Sequence, residues 1–332
     1  LGLAAHPAVA AAAHAAIDRW GTGSGSSRLV VGSRPVHDEL EAELAAWRGT
    51  EAALVLATGF AANLAVVATL ADDPSVLVVS DAVNHASIID ACRLGRGRVA
   101  VARHNDVDHV EALLAGHDGP TIVVTDTVFS MDGDEAPVDR LVTVCRAHGA
   151  LLVLDEAHAV FGPTVDLAAP HWSGVEVVRV GTLSKALGSL GGFVAGSRSV
   201  IDLLVNAARP FIFSTASSPA DAAAALAALR IVRSDEGERL RRRLRGHIDR
   251  VAGPSHPSPI VPIVIGDEVA AMRASAGLLD AGLLVPAIRP PTVAPGTSRL
   301  RVALSAAHTD DQIDRLVRAL AELADPVVEA VG

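Results

Sequence analysis

Short apolar segments that alternate with helical stretches are the feature that most constrains how this chain can fold. Segments of five or six residues, rich in Val, Leu and Ile and apolar throughout, recur at 52–56, 75–80, 98–102, 121–126, 150–154 and 175–180. Strands that are buried on both faces of a sheet have this composition. Their alternation with helical stretches therefore predicts an α/β domain with a mainly parallel sheet between helices.

The C-terminal part of the chain has a different order of elements. An Ala-rich helix is predicted from residue 219 to 251, and a Pro/Ser-rich loop follows it at 253–259. Further strands are predicted at 260–266, near 283–288 and at 298–305, and a final helix begins at Thr309. This order indicates a smaller C-terminal α+β domain. The expected division is an N-terminal segment 1–30, a large domain 31–230 and a small domain 231–332.

Charge and cysteine content exclude some classes of protein. The 332 residues carry a formal net charge of −10, which argues against a general nucleic-acid binder, because such proteins present a basic surface. One basic run, from Arg239 to Arg245, is interpreted as the solvated face of a helix. The alternative is a contact for an anionic carrier such as coenzyme A or an acyl-carrier protein.

The predicted cellular location is the cytoplasm. The only two cysteines, Cys92 and Cys145, form no CxxC pair or disulfide framework, which is typical of a reducing compartment. No apolar run is long enough to span a bilayer, and no signal segment opens the sequence.

Polar side chains follow several predicted strands at their carboxyl ends, where the active sites of open α/β sheets lie. Asp155 follows the strand at 150–154, and His158 comes three residues later, so the two would share one face of a helical turn. Asp155 alone is more simply interpreted as a helix N-cap. His85 follows the strand at 75–80. An imidazole there could stack on an aromatic ring, although a lone histidine is more often structural.

A lysine lies in the Gly-rich segment that follows the strand at 175–180. Lys185 is surrounded by apolar residues, by glycines and by the small hydroxyls Thr182 and Ser184, which can donate to a phosphate. A buried lysine is costly unless its charge is paired or lost, and a Schiff base removes that charge. From this segment alone, a surface lysine in a Gly-rich loop is an equal alternative.

Other segments also carry candidate residues. Residues 57–63 enter a helix after the first strand, and backbone N–H groups at such a start bind phosphate, although the P-loop pattern is absent. Ser130 follows the strand at 121–126 and is a candidate contact for a cofactor or substrate. The Asp132–Asp134 segment lacks EF-hand spacing, so no metal site is predicted. Arg299 and Arg301 share one strand face, where an arginine can clamp a carboxylate.

Taken together, these motifs resemble the α-oxoamine synthases, a branch of the fold-type I enzymes that use pyridoxal phosphate (PLP). The resemblance extends over nearly the whole chain, and its specificity comes from the ordered set rather than from one motif. In chain order the motifs are LGLAAHP, GSGSSRLVVGSRPVHDELEAELA, TGFAAN, SDAVNHASIIDA, HNDV, VFSMDGDEAPVD, LLVLDEAH, TLSKALGSLGG, FIFSTASSPA and RPPTVAPGTSRLRVALSAAHT. The resemblance implies a fold-type I PLP-dependent transferase that is a homodimer with its active site at the interface.

The resemblance also implies roles for individual residues. Lys185 would carry PLP as a Schiff base and move the Cα proton of the substrate. Asp155 would pair with the pyridinium nitrogen, and His85 would stack on the ring, so that with His158 these form the expected catalytic group. The other implied contacts are Ser130 and His158 to the phenolic oxygen, Gly59, Phe60 and Thr182 to the phosphate, Ser214 and Thr215 to the phosphate of the partner subunit, Arg301 to the amino-acid carboxylate, and Thr292 to the substrate pocket.

The implied activity is an acyl transfer. The RPPTVAPGTSRLR segment is most similar to members of the family in biotin biosynthesis. Such members condense L-alanine with a pimeloyl thioester, on coenzyme A or an acyl-carrier protein, and release CO2 and the free thiol. One alternative is another α-oxoamine synthase, similar to glycine C-acetyltransferase or specific for serine or another acyl chain. An alternative of a different class is a non-catalytic partner subunit with the PLP fold.

The sequence departs from the family pattern in three places. Ala159 follows His158 where the family usually has Gly, and the next loop is shorter, so the acyl chain is the least defined part of the expectation. The region 246–260 is short for the family. The chain begins at Leu1, inside a family motif, and we expect an upstream piece to be missing.

Overall fold

The computed structural model describes residues 1–161 and 172–329, with side chains in the second range through residue 323. The described residues cluster into two compact units. The larger holds Gly2–Val128 and Glu135–Gly237, and the smaller holds Leu1, Phe129–Asp134 and the residues from Glu238 onward.

Strands and helices alternate along the larger unit, as the apolar segments predict. Its strands are β1 (Ala52–Leu56), β2 (Leu77–Asp81), β3 (Arg98–Ala102), β4 (Thr121–Asp126), β5 (Leu151–Asp155), β6 (Val177–Thr182) and β7 (Gly192–Gly196). Its helices are α1 (Pro7–Trp20), α2 (Pro35–Arg48), α3 (Gly59–Leu70), α4 (Ala86–Leu94), α5 (Val107–Ala115), α6 (Val138–His148), α7 (Arg198–Ala207), α8 (Arg209–Ile212) and α9 (Pro219–Val232). A short π-helical turn, Arg28–Gly32, precedes α2.

The strands of the larger unit form a seven-stranded sheet in the order β1-β7-β6-β5-β4-β2-β3. Neighbouring strands from β6 to β3 are parallel, whereas β7 runs antiparallel to both β1 and β6. The valines Val78, Val124, Val153 and Val178 are completely buried, which explains why these strands are rich in apolar residues. The predicted α/β fold with a mainly parallel sheet between helices is confirmed.

The apolar pattern does not predict β7. This strand has glycine at both ends, Gly192 and Gly196, and glycine weakens a strand by itself. A Cβ on Gly192 would lie 2.3 Å from the carbonyl oxygen of Thr58, so the backbones of β7 and of the turn after β1 are in direct contact. Tertiary packing rather than local preference therefore places this strand.

The single helix predicted from 219 to 251 is wrong, because the structure has two helices there. α9 ends at Val232, and α10 (Asp235–Ala252) begins two residues after Arg233. The hydroxyl of Ser234 donates to the carbonyl oxygen of Ile231 at 2.7 Å, which competes with continued helical bonding. A Cβ on Gly237 would lie 2.4 Å from the carbonyl oxygen of Val232, so this close return of the chain requires glycine.

The smaller unit is built around an antiparallel sheet. Its strands are β8 (Ile260–Gly266), β9 (Ala287–Ile288) and β10 (Ser298–Ala303), in the order β8-β10-β9. The helices of this unit are α11 (Glu268–Asp280), α12 (Asp310–Glu329) and the part of α10 from Glu238 onward. The strand expected near 283–288 is limited to its last two residues. None of the helices in the described ranges is long and apolar enough to cross a membrane.

Candidate active site

The carboxyl ends of the parallel strands meet at one edge of the sheet, and polar residues end four of them. Asp81 is the last residue of β2, Asp126 of β4, Asp155 of β5 and Thr182 of β6. The register of β4 and β5 places Asp126 directly opposite Asp155. Because ligands of open α/β sheets bind at this edge, we take it as the candidate active site.

Asp155 is buried, and its carboxylate is held in one orientation. Its Oδ1 accepts a hydrogen bond from the backbone N–H of Ala157 at 2.9 Å, and its Oδ2 accepts one from the amide of Asn63 at 2.6 Å. The backbone N–H and the hydroxyl of Thr127 both donate to the carbonyl oxygen of Asp155, at 2.8 and 3.0 Å. A carboxylate has more acceptor sites than these two bonds use, so Asp155 can accept a further donor.

His158 lies in turns after β5, and the helical turn predicted for it is not formed. The bond from Ala157 N–H to the Asp155 carboxylate closes a local turn of the kind that competes with helix formation. His158 is half-buried there. The loop that we expected to shape the acyl site continues through residues 162–171, which lie outside the described residues.

His85 lies between β2 and α4, with its backbone N–H donating to Oδ2 of Asp126 at 3.0 Å. Partial burial of the ring lowers the pKa of His85, the negative charge of Asp155 raises this pKa, and the positive charge of Lys185 lowers it. The charges of Asp155 and Lys185 therefore both act on His85. All three residues belong to the group that we expected to be catalytic.

Lys185 follows β6 on an exposed loop, so the argument from lysine burial does not apply in this chain. The loop turns at Gly188, which has a positive φ of +64°, and a Cβ there would lie 2.3 Å from the backbone nitrogen of Ala4. Sequence reasoning overlooked a stronger signal. Of the 28 Lys and Arg residues in the chain, all but Lys185 are arginine.

The start of α3 and the end of β6 form a cradle with the properties of a phosphate site. The hydroxyl of Thr58 caps α3 by accepting from the N–H of Ala61 at 3.0 Å. A Cβ on Gly59 would lie 3.2 Å from the Cβ of Thr182, so the two predicted phosphate residues are neighbours. Free N–H groups at a helix start attract an anion. The side chain of Phe60 is exposed beside them.

Asp126 belongs to the site, although sequence reasoning did not select it. Burial and the negative charge of Asp155 raise the pKa of Asp126 well above its ordinary value, whereas the bond from His85 N–H and the charge of Lys185 oppose this rise. We expect Asp126 to be the carboxyl of this pair that keeps its proton. The available signal was its position, because both TIVVTD and LLVLD end a buried strand in aspartate.

Three of the remaining predicted residues lie in the smaller unit. Nε of Arg301 donates to the carbonyl oxygen of Ser130 at 2.6 Å, and Arg299 forms an ion pair with Asp132, so both arginines contact the segment after β4. Burial lowers the pKa of Arg301. Thr292 is exposed.

Ser214 and Thr215 lie between α8 and α9 of the larger unit. Thr215 is exposed and pairs with Ser27 through an isolated β-bridge. The segment 213–215 therefore lies beside the π-helical turn Arg28–Gly32, and Ser214 and Thr215 line a small cavity together with Leu56 and Ala57 at the end of β1.

The basic run Arg239–Arg245 lies on α10 and has partners of its own. Arg241 pairs with Glu238 at 2.9 Å, Arg245 pairs with Asp249 at 2.8 Å, and Leu244 between them is buried. This pattern favours the interpretation as the polar face of an amphipathic helix.

Sequence comparison assigns the chain to a known family. The family described as aminotransferase class I and II matches residues 1–320. An 8-amino-7-oxononanoate synthase from Methylobacterium nodulans is 47% identical over 331 residues, which cover 97% of this chain and 84% of that protein. An 8-amino-7-oxononanoate synthase from Anaeromyxobacter sp. is 49% identical over 339 residues, which cover 97% and 83%.

Solved structures share the fold. A serine palmitoyltransferase from Sphingomonas wittichii superimposes with a TM-score of 0.90 at 32% identity, over 98% of this chain and 85% of that chain. A serine palmitoyltransferase from S. paucimobilis with a bound PLP–myriocin aldimine has a TM-score of 0.88 at 32% identity, over the same shares of the two chains. An 8-amino-7-oxononanoate synthase from Francisella tularensis, 24% identical, has the same fold with a TM-score of 0.79. This chain belongs to the aminotransferase class I and II family.

Proposed function

We propose that this protein is a PLP-dependent acyltransferase of biotin biosynthesis. It condenses L-alanine with a pimeloyl thioester and forms 8-amino-7-oxononanoate, CO2 and a free thiol. The observation that carries this proposal is the meeting of Lys185, Asp155 and His85 at one sheet edge. This site occurs in a chain that is 44–49% identical, over 96–97% of its length, to proteins named 8-amino-7-oxononanoate synthase.

The described residues fit PLP as a cofactor. PLP needs an acid beside its ring nitrogen, an anion cradle for its phosphate and an amine for its aldehyde. Asp155 is a buried carboxylate with acceptor capacity left, the start of α3 at Gly59 and Phe60 meets Thr182, and Lys185 is the chain's only ε-amine. When bound, PLP supplies an electron-withdrawing ring that stabilises negative charge at the amino-acid Cα.

Asp155 and Lys185 have complementary parts in this reaction. The Asp155 carboxylate accepts a hydrogen bond from the protonated ring nitrogen and keeps it protonated. The ε-amine of Lys185 would hold the cofactor covalently until alanine binds. The freed amine would then take the proton from the alanine Cα and return a proton to that carbon after CO2 has left.

The other residues position the cofactor and substrate. His85 would pack against bound PLP, and His158 and Ser130 would donate to its phenolic oxygen. Arg301 binds the alanine carboxylate, which a guanidinium can clamp with two parallel hydrogen bonds. Thr292 lines the substrate pocket.

We also propose a cytoplasmic homodimer in which Ser214 and Thr215 contact the phosphate bound by the partner subunit. Leu29, Val30, Val31 and Phe213 are all more than half exposed, and the bridge between Ser27 and Thr215 joins the two segments that carry them. An exposed apolar surface of this kind is typical of a protein interface. Cys92 and Cys145 are buried as free thiols, which fits a reducing compartment.

A substrate panel tests the proposed reaction. The PLP-loaded protein is incubated with alanine, glycine or serine, each combined with a pimeloyl, an acetyl or a palmitoyl thioester. Pimeloyl is supplied on coenzyme A and on an acyl-carrier protein. We expect mass spectrometry to find 8-amino-7-oxononanoate, with one CO2 per product, only from alanine and pimeloyl thioester. Product from glycine and acetyl-CoA, or from serine and palmitoyl-CoA, would contradict the substrate assignment.

Lys185→Ala is the matched control for this panel. The variant should fold and bind PLP without covalent fixation by borohydride, and it should form no product. Product from this variant would contradict the proton transfer by Lys185. A wild-type protein that binds PLP but turns over no substrate pair would indicate a non-catalytic partner subunit.

A further inference from the structure

Two residues with no part in the proposed reaction connect Asp155 to His85. The amide nitrogen Nδ2 of Asn63 donates to Oδ2 of Asp155 at 2.6 Å and to the Ser87 hydroxyl at 2.8 Å. The Ser87 hydroxyl lies 2.7 Å from Nδ1 of His85. Asn63 and Ser87 are both buried. The four side chains therefore form one chain of direct hydrogen bonds.

The geometry also sets the direction of this chain of bonds. The backbone N–H of Ser87 donates to Nδ1 of His85 at 3.2 Å, and a backbone N–H can only donate. Nδ1 must therefore present a lone pair. The Ser87 hydroxyl can then donate its own proton to Nδ1 while it accepts from Asn63. A neutral ring with two donors at Nδ1 carries its proton on Nε2.

We propose that Asn63 and Ser87 are positioning residues that hold His85 as a neutral imidazole protonated on Nε2 and keep its ring from pairing directly with Asp155. The proposal rests on the proposed function for the place of the PLP ring between His85 and Asp155. It assigns a positioning role and specific hydrogen bonds to Asn63 and to Ser87.

A neutral His85 matters because of the charges around it. Asp155 attracts a proton to the imidazole and Lys185 opposes one, while Asp126 accepts from the backbone N–H of His85 and Asp81 ends β2 four residues earlier. A direct carboxylate–histidine pair would favour the imidazolium. That positive charge would lie against a pyridinium ring and compete with it for Asp155.

The residue types at the two positions suit this task. A primary amide donates two protons from one nitrogen without carrying charge, so Asn63 satisfies Asp155 and Ser87 together. A carboxylate at position 63 would instead repel Asp155. A hydroxyl at position 87 can accept and donate at once, which alanine cannot.

NMR of the PLP-free protein tests the proposal independently of catalysis. The imidazole carbons and nitrogens are labelled, and the signals of His85 are identified by their loss in His85→Gln. In the wild type we expect the Nε2–H tautomer and a titration midpoint below the ordinary value of about 6.5. In Ser87→Ala and Asn63→Leu the midpoint should rise, because the neutral ring loses the hydroxyl donor or its orientation. The backbone N–H at position 87 remains in both variants and should keep the proton of the neutral ring on Nε2.

Two further variants separate positioning from a general loss of structure. Ser87→Thr retains the hydroxyl and should keep the wild-type midpoint. Ser24→Ala removes another buried hydroxyl, which donates to the Ser217 carbonyl at 2.7 Å, and should leave the His85 signals unchanged. The PLP dissociation constant should be about 2- to 10-fold larger in Ser87→Ala, as expected for one lost hydrogen bond.

The proposal is overturned if wild-type His85 carries its proton on Nδ1, or if Ser87→Ala and Asn63→Leu leave its titration midpoint unchanged. These readings are independent of turnover. An inactive wild-type enzyme with the expected His85 signals would contradict the proposed function alone. An active enzyme whose His85 titration is unchanged in Ser87→Ala and Asn63→Leu would contradict this inference alone.

Discussion

At the scale of single residues, the site is organised by two buried carboxyls at the ends of adjacent strands. Asp155 has the amide of Asn63 and the N–H of Ala157 as donors, whereas Asp126 has the N–H of His85. Two negative charges this close in a buried place repel each other, so one group keeps its proton. Burial and the negative charge of Asp155 raise the pKa of Asp126, so Asp126 is the group that we expect to keep its proton.

The raised pKa of Asp126 predicts a pH-dependent cost to stability. Above the ordinary pKa of an aspartate, the unfolded chain loses this proton while the folded chain keeps it. The contribution of Asp126 to stability therefore falls as pH rises from about 4 to its folded pKa. In Asp126→Asn this contribution to the pH dependence of the free energy of unfolding should disappear. The variant should therefore gain stability relative to the wild type as pH rises.

Urea unfolding of the PLP-free protein between about pH 5 and 8 measures this difference. Asp202→Asn, at an exposed position of α7, is the control and should follow the wild-type curve. A constant difference in the free energy of unfolding between Asp126→Asn and wild type over this range would show that Asp126 of the folded protein is ionised throughout.

The sequence predicted the residues at strand ends but not those that support them. Asp155, His85 and Lys185 could be selected because each follows a recognisable apolar strand. Asn63 lies inside the apolar helix GFAANLAVVATL, and nothing in that segment indicates what its side chain contacts. Only the fold shows that the partners of Asn63 are Asp155 and Ser87. Long-range contacts of this kind depend on the fold and are not encoded in local spacing.

At the scale of elements, the cradle at the start of α3 depends on a contact between glycines. The strand β7 passes so close to the turn after β1 that Gly192 touches the backbone of Thr58 and Gly59. Local sequence patterns therefore predict β1 and α3 correctly, but they do not predict β7. Its glycines reduce strand propensity while they permit the close approach.

Gly192→Ala should displace the start of α3 from β7. A Cβ there would lie 2.5 Å from the backbone nitrogen of Gly59, and backbone cannot move away as a flexible side chain can. We expect a loss of about 1–3 kcal/mol in the free energy of unfolding and weaker binding of PLP. Calorimetry and PLP titration measure the two effects.

Gly196→Ala is the matched control on the same strand. Its Cβ would lie 3.7 Å from the nearest atom, which is ordinary van der Waals contact. Stability and PLP affinity close to wild type are expected for this variant. Equal effects of the two substitutions would mean that the space at position 192 does not determine the cradle.

At the scale of the whole molecule, the apolar surface formed by the π-helical turn and Phe213 predicts the oligomeric state. We expect a dimer of twice the 34.0 kDa of one chain. Val30→Asp places a charge in the middle of this surface and should yield a monomer that binds PLP weakly, because Ser214 and Thr215 are then lost from the partner's site. Light scattering after gel filtration measures the mass.

Leu94→Asp serves as the control, because Leu94 on α4 is as exposed as Val30, at 68% against 72%. This variant should remain dimeric. A monomeric wild type, or a dimeric Val30→Asp, would contradict the proposed interface. The sequence could indicate a dimer only through family resemblance, since exposed apolar residues are recognised only after the fold shows which side chains are covered.

The single lysine on an exposed loop makes this chain unusually simple to probe chemically. An endoprotease specific for lysine would cut the polypeptide once and leave fragments 1–185 and 186–332. A lysine held as an imine is no longer a cationic primary amine, so an occupied site should be protected from that cut. The ratio of intact to cleaved chain would then count occupied sites directly, without any measurement of colour or turnover.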